Sequence, residues 1–239
     1  MTPRPLPPPF TARTLSFLRA LTRHNDRAWF AAHRQAYEED VRAPMTALVE
    51  RLAEDLRRIA PELVASPKAS LFRIHRDTRF SENKAPFKTQ VGAVFPHRDL
   101  PRHQGAGLYV EIGPTGTMIA GGIYMPGAPE LLALREHLAS NHRRFLSLVE
   151  SPAFRRTVGR VGGDALKRVP RGFPPDHPAG AYLRLRQFLF GRDYPSAFAT
   201  DRRFYREVVT LFERMAPVVR FLNEPLVARP RNLDPLTAE

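Results

Sequence analysis

The sequence predicts an α+β fold, a single domain in which N-terminal and C-terminal helices pack on a central antiparallel sheet. Three observations carry this. Roughly the first 60 residues place apolar side chains at helical spacing, about the next 65 switch to a period of two, and helical spacing returns after Gly127. The sheet is expected over about residues 70–125, with four to five strands. No linker splits the 239 residues, and 43% hydrophobic content is enough apolar material for one core. The expected division is a Pro-rich extended lead-in over residues 1–10, the domain over residues 11–223 and a loose tail over residues 224–239.

The first helix follows from Leu15, Leu18 and Leu21, which share one face. Asp26 is a good N-cap for a second, carrying Trp29, His33, Tyr37 and Val41. Pro44 suits the first turn of a third. That helix has a core stripe of Met45, Leu48, Val49, Leu52, Leu56 and Ile59, and Pro61 ends it. Aromatic residues Trp29, Phe30 and Tyr37 read as core.

Period two begins at residues 71–75, with Phe72 and Ile74 on one side and Arg73 and His75 on the other. Residues 88–95 form a further strand closed by Pro96. Leu108, Val110 and Ile112 alternate with Tyr109 and Glu111. Gly113-Pro114-Thr115-Gly116 then turns the chain into TMIAGGIYM, the clearest hairpin signal present. Gly121-Gly122 within that strand predicts a bulge or a close backbone approach.

Pro129 opens a helix through Leu131, Leu132, Leu134 and Leu138, and Ser151-Pro152 opens another. Residues 159–180 read as irregular, and residues 181–190 fit either helix or edge strand. Thr200 or Asp201 caps a last helix through Phe204, Val208, Leu211, Phe212 and Met215, with Pro217 near its end.

Composition bounds the function. There are no cysteines, which excludes disulfides, thiolate catalysis and cysteine-ligated metals. No apolar run spans a membrane and residues 1–10 lack the apolar region of a secretory signal, so a soluble, cytoplasmic protein is expected. No phosphate-binding glycine loop, dinucleotide fingerprint or serine nucleophile elbow occurs. The eight histidines are scattered without carboxylates at useful offsets. Neither metal nor cofactor is expected.

The net charge is +13, which favours an anionic partner such as nucleic acid or a phosphorylated ligand. Of 37 basic residues only four are lysine, and arginine used so heavily with 24 prolines also fits a GC-rich coding sequence. Residues 71–90, LFRIHRDTRFSENKAPFKTQ, concentrate the charge in Arg73, Arg76, Arg79, Lys84 and Lys88, with His75 among them. Arg73, His75, Asp77 and Arg79 are expected on one side of an extended segment, where arginines suit bidentate contact with phosphate or carboxylate. The other reading is a solvated ladder of ion pairs through Asp77, Glu82 and Glu111. A second basic stretch holds Lys167 and Arg171 and runs to Asp176-His177-Pro178. If it folds against the first, Lys167, Arg171 and His177 join Arg73 and Arg79 around one cleft. His75, Asp77 and His177 are the candidates for proton transfer.

Four stretches, LTRHNDRAWFAAHRQAYEEDVRAPM, LFRIHRDTRFSENKAPFKTQVGAVF, GGIYMP and LKRVPRGFPPDHPA, occur in the order seen in a known family. By them the chain resembles the bacterial and fungal family known as domain of unknown function 2461, from about Phe10 to Asn223. The resemblance implies one intact domain and brings no activity, cofactor or catalytic residue with it. The expected function is therefore a basic module for an anionic partner. The alternatives are an enzyme acting on a small anionic substrate in an Arg/Lys/His cleft, and a module that meets an acidic protein.

Overall fold

The computed structural model describes residues 10–79 and 81–228. The N-terminal part holds α1 (Ala12–Arg23), α2 (Arg27–Ala32), α3 (Arg34–Tyr37), a π-helical turn (Glu38–Arg42), α4 (Ala43–Ile59) and the short α5 (Pro67–Ser70). Strands β1 (Val91–Phe95), β2 (Gly107–Ile112) and β3 (Gly116–Ile123) follow. Then come α6 (Ala128–Ser140), α7 (His142–Val149), α8 (Pro152–Thr157), α9 (Gly180–Leu183), β4 (Phe188–Pro195), a short 3-10 helix (Ser196–Thr200) and α10 (Phe204–Val227). This is a single α+β domain. The lead-in expected over residues 1–10 lies outside the described residues except at Phe10.

Asp26 caps α2 as its position predicts, accepting from the Trp29 N–H at 2.8 Å. The second and third expected helices are nearly continuous, because the π turn carries the chain from α3 into α4. Pro44 explains the turn. It has no N–H, so the Asp40 carbonyl loses its ordinary helical donor. That carbonyl instead accepts from the Thr14 hydroxyl at 2.6 Å, and Thr14 is fully buried. One proline thus becomes the point at which α1 is fastened to the helical run.

The four strands are all antiparallel and lie in the order β1-β2-β3-β4. Two expectations are corrected here. Residues 71–75 do not form a strand and make only single bridges, Leu71 to Ala93 and His75 to Phe87. The fourth strand comes instead from residues 188–195, overlapping the end of the stretch 181–190 that the sequence left open to helix or edge strand. Phe188 and Phe190 are buried on the same face as Ile123 and Gly121, which decides the matter in favour of strand.

The inner face of the sheet carries Phe95, Leu108, Val110, Ile112, Ile119 and Ile123, all fully buried. It packs on α10. That helix runs ten residues past Pro217 because its apolar stripe continues through Val218, Val219, Phe221, Leu222 and Leu226. Residues 224–227, expected in a loose tail, are its last turn, and residues 229–239 lie outside the described residues. Asn223, 2% exposed, fastens α10 to the sheet. Its Oδ1 accepts from the Ala106 N–H at 2.8 Å and its Nδ2 donates to the Ala106 carbonyl at 2.9 Å.

Replacing Asn223 by leucine leaves both backbone groups of Ala106 buried and unpaired. The expected loss is about 2–4 kcal/mol of unfolding free energy, read from urea denaturation. A change below about 0.5 kcal/mol would show that the fork contributes nothing net.

Candidate functional site

Residues 71–76 run along the β1 side of the sheet. The Phe72 N–H donates to the Gly92 carbonyl, the Lys88 N–H to Ile74 and the Arg76 N–H to Pro86, at 3.1, 2.8 and 2.9 Å. Isolated bridges do not enforce strict alternation. Ile74 enters the core, whereas Phe72 turns to the outer face of the sheet and meets the Tyr109 ring edge-on at 6.1 Å.

The basic side chains of this stretch divide into two groups. Arg76 donates to the Ala85 carbonyl and Ser81 hydroxyl, and Lys84 to the Thr78 carbonyl. Arg79 forms a two-pronged pair with Asp77 at 2.7 and 3.0 Å, which holds the Asp77 carboxyl down at about 2. These contacts stitch the 76–85 loop to itself. Asp77 is thus committed to Arg79, while His75 lies against the Phe87 ring at 5.2 Å.

Arg73 and Lys88 form the second group. Lys88 Nζ sits 4.8 Å from the centre of the Phe72 ring and the Arg102 guanidinium 4.7 Å from it. Arg102 is fixed by hydrogen bonds to the carbonyls of Ser70 and Leu71. Burial lowers the Lys88 amine from its ordinary value, and the charges of Arg73 and Arg102 lower it further, with Glu111 opposing. Glu111 is itself bonded to the Tyr109 hydroxyl at 2.5 Å. Three cations thus face one already occupied carboxylate.

The second basic stretch is not brought to this place. Residues 162–166 pair with residues 184–189 instead. Lys167 and Arg171 are exposed, and His177 accepts from the Ala179 N–H and meets His142 edge-on. None of the three lines either cleft described next.

Two clefts flank Phe72. The first, a groove of about 1190 Å³, lies between the helical run α2–α4 and residues 67–75. Arg27, Arg34, Arg42, Lys68 and Arg73 line it, with His75, against Glu38 and Glu50. Arg42 pairs with Glu38 at 3.0 Å. Arg27, Arg34, Lys68 and Arg73 are exposed and make no ion pair among the described residues. The second cleft, about 870 Å³, lies on the outer face of the sheet. Sequence reasoning missed Arg27, Arg34, Lys68 and Arg102. All four look like ordinary surface charge until the fold places them around residues 71–73.

A family model described as "Conserved hypothetical protein (DUF2461)" matches residues 13–221. No curated protein matches the chain. Among the described residues no helix is long and apolar enough to cross a membrane.

The charge cluster can be read through Lys88. Arg102→Met removes one like charge and should raise the Lys88 titration midpoint, while Glu111→Gln removes the opposing charge and should lower it. NMR titration of the lysine side chain checks both. Unchanged midpoints would mean that solvent screens the cluster fully.

Proposed function

The chain belongs to the DUF2461 family of conserved hypothetical proteins, and from its own residues we propose that it is a basic, cytoplasmic module that binds an anionic partner in the α2–α4 groove. Nucleic acid is the leading partner and a smaller phosphorylated ligand the alternative within the same chemistry. The observation that carries this reading is the set Arg27, Arg34, Lys68 and Arg73. All four charges are exposed, line one concave groove and have no carboxylate partner among the described residues. Exposed cations that are not paired internally keep their full attraction for phosphate, and bringing several into one groove sums their fields. The reading also accounts for the two groups within residues 71–90. Arg76, Arg79 and Lys84 shape the loop, and Arg73 is left to meet the partner.

Binding to labelled single-stranded and duplex DNA and RNA, titrated with salt, tests the proposal. Binding should weaken steeply with salt, and Lys68→Glu with Arg73→Glu should weaken it about a hundredfold, by reversing two phosphate-facing charges. Among the described residues neither side chain makes a hydrogen bond or ion pair, so the melting temperature of the double variant should stay where it is. Binding indifferent to the two reversals would remove the groove as the site. Binding to inorganic polyphosphate but to no nucleic acid would assign the smaller ligand.

A further inference from the structure

The outer face of the sheet is uncovered where glycine replaces side chains. Gly107 pairs with Gly122, Gly122 with Leu189 and Ala120 with Gly191. Two of these glycines are obligatory. A Cβ on Gly122 would lie 1.9 Å from the Phe188 carbonyl oxygen, and one on Gly191 would lie 2.4 Å from that of Ile119; both residues have positive φ. The result is a floor of bare peptide planes. Met118, Leu189 and Tyr109 flank it, Phe72 forms one wall, and Gly162 and Gly163 border the β4 side. At the mouth Tyr124 and Met125 are 66% and 70% exposed, the largest exposures of any big apolar side chains among the described residues. Met125 has φ 51°, the one left-handed non-glycine residue among them. The backbone is turned against its preference at the point where these two side chains are held in solvent over the cleft.

One charge in this cleft is fixed and has no counterion among the described residues. Arg102 lines it, gives its hydrogen bonds to two neutral carbonyls, lies on the Phe72 ring, and has a buried Nε–H without an acceptor. Burial lowers its affinity for its proton. A half-buried guanidinium with no carboxylate is costly unless an anion completes it. Arg160 and Arg192 add positive charge at the rim against Asp193.

We propose that this cleft is a small-molecule site for a flat, largely apolar ring system bearing one anionic group, the ring lying on the glycine floor beneath Tyr124 and the anion near Arg102. A volume of about 870 Å³ is in the range of ligand pockets. Aromatic walls over a planar floor select a planar ligand. The site is separate from the α2–α4 groove and does not depend on the reading given to that groove.

The dyes anilinonaphthalene sulfonate, which carries a flat naphthalene ring and one anionic group, and phenylnaphthylamine, its uncharged counterpart, serve as probes of the intact protein. The sulfonate should bind at one site and shift the methyl NMR signals of Met118, Ala120, Met125 and Leu189. Ala120→Phe, which places a ring above the floor, should abolish binding of both dyes while the melting temperature holds. Arg102→Met should weaken the sulfonate about tenfold, roughly the worth of one charge-assisted hydrogen bond, and leave the uncharged dye unaffected. If Arg102→Met does not fold, Arg160→Met and the methyl shifts decide. The Lys68→Glu, Arg73→Glu variant should bind the sulfonate normally. Unshifted methyls, or full binding by Ala120→Phe, would overturn the site. Equal loss of both dyes in Arg102→Met would overturn the anionic half of its specificity, as would tight seating of the uncharged dye alone.

Discussion

The structure depends on the contact between α10 and the inner face of the sheet. The sheet has only four strands, and an isolated sheet of that size cannot bury both faces. A helix of 24 residues covers one of them, with the Asn223 fork fixing where along the sheet it lies. Everything else follows from which face is taken. The N-terminal helices close the β1 end, α6 and α7 pack on α10, and the opposite face of the sheet is left for shorter, irregular pieces. Both clefts open where those pieces meet the sheet or the helices imperfectly. The site is therefore a by-product of covering one face well and the other incompletely.

Charge is distributed with the same economy. Net charge alone says only that anions are attracted. What discriminates is which cations the fold has already used. Arg79 with Asp77, Arg203 with Asp201 and Arg144 with Glu224 are local pairs on the surface. Such pairs add little stability, yet each one removes a cation from the set available to a ligand. Arg27, Arg34, Lys68 and Arg73 are among the cations left unpaired within the described residues, and they come from separate segments of the chain. An arginine-rich composition of coding origin would scatter its unpaired members. Much of this set is scattered in that way, Lys167, Arg168 and Arg171 among it, while Arg27, Arg34, Lys68 and Arg73 line one groove.

The sequence made the local structure legible and left the long-range structure largely hidden. Leu15, Leu18 and Leu21, the α4 stripe and the Gly113–Gly116 hairpin were readable because periodicity and turn chemistry are local properties. The π turn was not, because it requires knowing that Thr14 stands opposite Asp40. Residues 71–75 alternate like a strand but find only an irregular partner, since Phe72 is drawn outward by Tyr109, Lys88 and Arg102. Residues 181–190 were ambiguous because they hold both, the end of α9 at Leu183 and the start of β4 at Phe188. Of the candidate site, Arg73, His75 and Lys88 were visible as a dense run of charge. Arg27, Arg34, Lys68 and Arg102 were not, because only folding brings them to it. The opposite error attends Lys167, Arg171 and His177, whose equally dense run folds back on residues 180–185.

Phe72 is the wall between the two clefts, held by rings and cations on one side and bordering the groove of Arg73 on the other. A common wall is a thermodynamic connection. Any occupant that turns this ring, or draws Lys88 or Arg102 off its faces, alters the shape and field met by an occupant on the other side. The coupling works equally in both directions, since each ligand changes the other's affinity by the same factor. Its sign depends on whether the two occupants favour the same setting of one aromatic side chain. If both clefts are occupied as proposed, a single phenyl ring makes one binding event conditional on the other.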